Sequence, residues 1–149
     1  MEGKMFRWLS LLFLLSSCQV PAYARPADKW AQASPERQEF FKKAMRPDLV
    51  SKEGKLESPC CGEADAYEAD DFETEEGNLY AILTCSEEDE NGVCPEVQGR
   101  TYRAPGTRIL IPPEKILPPH TPTNRTGHGW VFMSGSGNYV FCYALPGGS

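Results

Sequence analysis

The chain has 149 residues, with 13 Gly, 13 Pro, six Cys and a formal net charge of −6. That length suits one domain, and a small domain buries too little surface to rest on its core alone. The acidic balance and the lack of a basic stripe exclude nucleic acid as the expected partner and give no attraction to anionic lipid.

Residues 1–24 read as a secretory signal peptide. Lys4 and Arg7 give a positive start, Trp8 to Leu15 an apolar centre, and Ala22-Tyr23-Ala24 a small-residue cleavage site. The apolar run is too short for a permanent transmembrane segment. Leu15-Ser16-Ser17-Cys18 supports an alternative, a lipid anchor on Cys18. Cleavage after Ala24 removes Glu2, Lys4 and Arg7, which moves the formal charge from −6 to −7.

Residues 25–58 form a lead-in, extended at first, with Trp30 in need of cover and a helix predicted over 35–46. Ser34 can cap it, Pro35 suits the first helical position, and Phe40, Phe41, Ala44 and Met45 make one apolar stripe. Pro47 stops it. Residues 59–149 form the β domain. Ala66 to Glu75 reads as a first strand, with Asp70-Asp71 marking a bulge. Leu79 to Thr84 is a central strand, and residues 86–93 are an acidic insertion. Arg100 to Arg103 is a possible short strand and Thr107 to Ile111 a further one. Five prolines between Pro112 and Pro122 then impose a long loop. Trp130 to Met133 and Tyr139 to Tyr143 close the domain as a hairpin, with Tyr139, Phe141 and Tyr143 on one face and Val140, Cys142 and Ala144 on the other. The expected fold is mainly β, a small α+β domain: a half-open β-barrel or meander of about five short strands with one N-terminal helix, stapled by disulfides.

From Glu57 to Glu90 there are 13 acids and no Lys or Arg. Cross-strand pairing and a solvated face account for such a run; the functional reading is an acidic patch for a cation or a basic partner.

Five cysteines remain after cleavage, and an exported chain meets an oxidising compartment. Cys85 and Cys94 bracket the insertion and are expected to pair. Cys142 is expected to pair with Cys60 or Cys61, which leaves one of the adjacent two over. That residue reads as a buried, inert thiol; the alternative is a redox or metal role with His128. Adjacent cysteines lack the two-residue spacing of redox and zinc motifs.

An aromatic helix before a proline, Cys60-Cys61 followed by Ala64-Asp65, then Gly127-His128-Gly129, an aromatic-Cys-aromatic strand and Pro146-Gly147-Gly148 resemble a group of small exported bacterial proteins of unknown function. The resemblance covers residues 35–149 and implies a periplasmic or envelope location. It carries no activity across, and the acidic insertion departs from its pattern.

Glu87, Asp89 and Asn91 stand at alternate positions before Gly92, like the start of a calcium loop. The twelfth position is Gln98 rather than a bidentate Glu, and no helices flank the segment, so a solvated hairpin tip is the plainer reading. His128 between two glycines could act as a general base if a carboxylate oriented it, and Asp65 is the acid to test; otherwise it is a strand-edge histidine. His120 among the prolines reads as exposed. Asn124-Arg125-Thr126 matches a glycosylation acceptor. No phosphate loop, dinucleotide fingerprint or nucleophile elbow is present, and no cofactor is expected. The expectation is a periplasmic or secreted, non-enzymatic module that binds an unidentified envelope protein or ligand through the Pro-rich loop and the aromatics of the last hairpin.

Overall fold

The computed structural model describes residues 33–62, 64–87, 89–96, 99–119 and 122–147. Residues 1–24, which read as a signal peptide and include Cys18, lie outside the described residues, as do Trp30, Gln98 and His120.

One helix, α1 (Pro35–Lys43), opens the described chain. Ser34 Oγ accepts the Arg37 N–H at 3.2 Å, which satisfies one of the amides that a helix start leaves open. Glu36 in the first turn and Lys42 and Lys43 in the last complement the helix dipole. The helix stops three residues short of the predicted 46. Ala44 is already extended, Met45 bridges Pro59, and the Cys60 N–H donates to the Ala44 carbonyl. Pairing with the cysteine stretch has taken the last predicted turn.

Six strands follow: β1 (Asp65–Glu68), β2 (Asp71–Glu75), β3 (Asn78–Ile82), β4 (Arg108–Ile111), β5 (Trp130–Met133) and β6 (Val140–Ala144). They form two antiparallel sheets, ordered β1-β5-β6 and β2-β3-β4. This corrects the expected five strands and barrel, since the described residues close no barrel. The first predicted strand is two. It breaks at Ala69-Asp70, so that β1 pairs with β5 while β2 pairs with β3. The Thr84 N–H donating to the Glu68 carbonyl is a seam between the sheets. Arg100 to Arg103 is not a strand. Its two guanidinium groups lie over the Tyr67 ring, at 4.7 and 5.7 Å from the centroid.

The core has two parts, one on each face of β5. Trp130 and Phe132 meet Phe40 and Phe41 of α1 and Ala44 just past its end, whereas Val131 and Met133 meet Ala81, Ile109 and Ile111 of the other sheet and Leu83 just past β3. Alternation along a strand sends neighbours to opposite faces, and here both faces are covered, so all four residues of β5 are buried. The register shifts between Phe132 and Met133, which face Cys142 and Val140. The extra residue, Phe141, moves Val140 to the Tyr143 side, which corrects the simple alternation expected for β6.

Two disulfides join Cys60 to Cys142 and Cys85 to Cys94. The first spans 82 residues and lies in the helix-side core, with both cysteines fully buried. In the chain-entropy description a loop of that length is worth about 4–5 kcal/mol.

Candidate functional site

The bend between β1 and β2 is bolted to the loop that enters β5. The Ala69 N–H donates to the Gly129 carbonyl at 2.9 Å. Asp70 follows: its Oδ1 accepts the Gly129 N–H at 2.8 Å and its Oδ2 lies 2.9 Å from His128 Nδ1. Thr84 Oγ1 accepts the Asp70 N–H. A Cβ on Gly129 would overlap the Ala69 carbonyl, so only glycine permits this approach.

His128 is therefore oriented by a carboxylate, as a general base requires, but the partner is Asp70. Asp65, the acid singled out from sequence, is buried at the start of β1, paired in register with Met133. Among the described residues, no side-chain hydroxyl or thiol is hydrogen-bonded to the His128 ring. Thr126 Oγ1 serves the backbone instead, accepting the His128 N–H at 3.3 Å, and it also accepts the Trp130 indole N–H at 2.7 Å. The pair orients an imidazole and ties a corner.

Asn124 organises the same loop. Its Nδ2 donates to the His128 carbonyl at 2.7 Å and to the Leu145 carbonyl at 3.0 Å, and its Oδ1 accepts from Thr126. The residues that match a glycosylation acceptor thus hold the Pro-rich loop against the chain end. Gly147 packs so closely on the Asn124 carbonyl that a Cβ there would overlap it. Between loop, α1 and chain end lies a cavity of ≈ 110 Å³, lined by Phe40, Leu117, Pro118, Pro119, Pro122 and Leu145, among others.

Cys61 stands outside both disulfides, half-buried, with Sγ 2.9 Å from the Phe41 carbonyl. In the acidic insertion, Asp89 Oδ1 accepts the N–H groups of Asn91 and Val93 at 2.8 and 2.9 Å. Those backbone bonds, the one from Val93 first, lower its pKa and define a turn at the hairpin tip. Among the described residues no group of three or more His, Cys, Asp or Glu could hold a metal ion. No helix among them is long and apolar enough to cross a membrane.

Sequence reasoning missed one polar cluster. Lys115, 5% exposed, donates to Asp48 Oδ2 at 2.5 Å and to the Tyr139 hydroxyl at 2.6 Å. Arg46 donates to the same two groups, each at 2.8 Å, and lies over the Phe141 ring. The hydrogen bond from Arg46, opposed by burial and reinforced by Lys115, holds the Asp48 pKa down at about 2. Burial disfavours the Lys115 charge, but the bonds to Asp48 and Tyr139 outweigh it and its pKa rises. Of the hairpin aromatics expected on the surface, Tyr143 is in the core, Phe141 is half-buried under Arg46, and Tyr139 is exposed at its ring but bonded at its hydroxyl. The only sequence signal for this cluster was the spacing of Arg46 and Asp48 after α1; Lys115 and Tyr139 are 67 and 24 residues from their partners.

Scans of protein-family models, curated proteins and solved structures each return no match to this chain.

Proposed function

We propose that the chain is an exported bacterial envelope protein that works by binding another protein, with the Pro-rich loop as its binding face. The supporting observation is the size and setting of the cavity beside that loop. Small-molecule and cofactor sites run from about 300 Å³ upward, whereas this one is ≈ 110 Å³ and largely apolar in its lining. That is room for one protruding apolar side chain of a partner. Asn124 ties the loop to the chain end, and a wall held in place before binding loses less entropy on association. The reading of residues 1–24 as a signal peptide supports a partner in the periplasm or outside the cell, and a lipid anchor on Cys18 would keep the module on the envelope.

A photo-crosslinking residue at Leu145, beside the cavity, tests this in the native envelope, with Val50, exposed and remote in sequence, as control. The expected result is one dominant adduct at Leu145 that is absent at Val50 and lost in Pro119→Glu. The same adducts at both positions, or none at Leu145, would overturn the reading.

One observation favours a second reading. Cys61 sits beside the bonded Cys60, where a thiolate could exchange with the Cys60–Cys142 disulfide. Thiol titration of the folded protein decides: rapid labelling of Cys61 supports thiol chemistry, and labelling only after unfolding removes it.

A further inference from the structure

The sheet edges are treated unequally. Along β1, Arg100 Nη1 donates to the Ala66 carbonyl at 2.7 Å. Beside β6, the Leu117 N–H donates to the Tyr143 carbonyl and Ile116 bridges Tyr143. The four-residue β4 is flanked by Pro105, Pro112 and Pro113. By contrast β2 is five residues long, all exposed, and pairs with β3 alone among the described residues.

The turn after β2 settles which of its backbone groups face outward. Glu76 and Gly77 have φ of 52° and 83°, as in a two-residue hairpin turn. Such a turn closes on a hydrogen-bonded pair, here Glu75 and Asn78. Pairs alternate along an antiparallel ladder, so Glu75, Glu73 and Asp71 turn their amides to β3. The N–H and C=O of Phe72 and Thr74 point to the open edge.

Side chains divide by the same alternation. Asp71, Glu73 and Glu75 share one face. Arg108 on β4 contacts Glu73 and Glu75 at 3.2 and 2.8 Å, which leaves an excess of two negative charges, and those two glutamates stay 57% and 60% exposed. Phe72 is on the other face, in register with the buried Ala81 and Ile109, yet it is 52% exposed. It overhangs the core, and a strand beyond β2 would cover it.

We propose that β2 is a docking edge for an extended basic segment of another protein, one that alternates Lys or Arg with apolar residues and adds as a fourth strand. Its basic side chains would stand beside Asp71, Glu73 and Glu75, and its apolar ones beside Phe72 and Thr74. Backbone bonds supply affinity in strand addition and the side-chain alternation supplies selectivity. A second copy does not fit, because acid would meet acid across the new pair. Charge on an edge normally deters pairing; acids deter like edges and recruit basic ones. The edge shares no residue with the lining of the proline cavity, so this inference and the proposed function stand or fall separately.

The oxidised full chain and a capped Lys-Val-Lys-Val-Lys-Val-Lys peptide test this by affinity and by amide hydrogen exchange. Binding should slow exchange at Phe72 and Thr74. The same peptide N-methylated at its valines keeps the charge but loses the pairing N–H groups, and should bind about tenfold weaker or worse. Thr74→Pro removes an outward N–H at a place where an edge strand accepts proline and should weaken binding similarly; Asp71→Lys, which leaves the backbone intact, gives a second route if that variant misfolds. Absence of binding, equal binding of both peptides, or protection elsewhere than β2 would overturn the proposal.

Discussion

His128 Nδ1 lies 2.9 Å from Asp70 Oδ2, while the other oxygen of Asp70 accepts the N–H of Gly129. One carboxylate thus secures both the ring and the backbone of the segment that enters β5, at the point where the first strand bends from one sheet to the other. Asp70→Ala leaves the buried Gly129 amide without its acceptor, and it should cost about 2–3 kcal/mol. His128→Asn removes only the ring bond and should cost about 1 kcal/mol. Urea unfolding with the disulfides intact measures both. Equal losses would mean that the ring, not the amide, is what Asp70 secures.

Gly129 and Gly106 separate two reasons for glycine. Alanine at 129 drives a Cβ into the Ala69 carbonyl, and a backbone atom cannot swing aside. Gly106 has φ +81° with open space around it. Gly106→Ala should cost about 1–2 kcal/mol from the left-handed backbone alone, and Gly129→Ala about 3 kcal/mol or more. Thermal unfolding of the two variants gives the order.

Asp48 sets the acid limb of stability. Its pKa is about 2 in the fold against an ordinary 3.8. A carboxyl with a depressed folded pKa contributes stability that is complete above its unfolded value and is lost as pH falls through the folded one. The chain should therefore lose about 2 kcal/mol from this group between pH 4 and pH 2. Asp48→Asn should flatten that window. At neutral pH the variant should be less stable by about 3 kcal/mol, since Lys115 stays buried without its anion. Unfolding curves at pH 2, 3, 4 and 7 check both statements.

Tyr143 is fully buried, and its hydroxyl has no hydrogen-bond partner among the described residues. Burial, with the charges of Asp70 and Asp71 adding to it, pushes its pKa up to about 12. Tyr143→Phe removes a desolvated hydroxyl and keeps the ring. It should leave stability unchanged or raise it by about 1 kcal/mol; a loss of comparable size would show that the hydroxyl is bonded in solution.

Local signals served the sequence reading well. Ser34-Pro35 and the Phe40-Phe41 pair carry the helix, and period-two runs carry the hairpins, with the first of them turning at Glu76-Gly77 and Asn78 already in β3. Both expected disulfides are present, with Cys60 rather than Cys61 taking Cys142. What escaped depends on partners far along the chain. The end of α1 yields to Pro59 and Cys60, the first strand divides because two different strands claim its halves, and a bulge at Phe141 reverses the face of Val140. Asp70 displaces Asp65 at His128 for the same reason: 58 residues separate the pair, and nothing local marks which acid will arrive.

The covalent clasp between Cys60 and Cys142 joins the proposed export to the architecture, and mass mapping of unreduced protein from its native source tests both directly. Fragmentation between the adjacent cysteines should find Cys60 linked to Cys142 and Cys85 to Cys94, with Cys61 in neither link and a mature chain beginning at Arg25. A Cys61–Cys142 link, a bond between Cys60 and Cys61, or material with Cys60 and Cys142 both reduced would contradict the account.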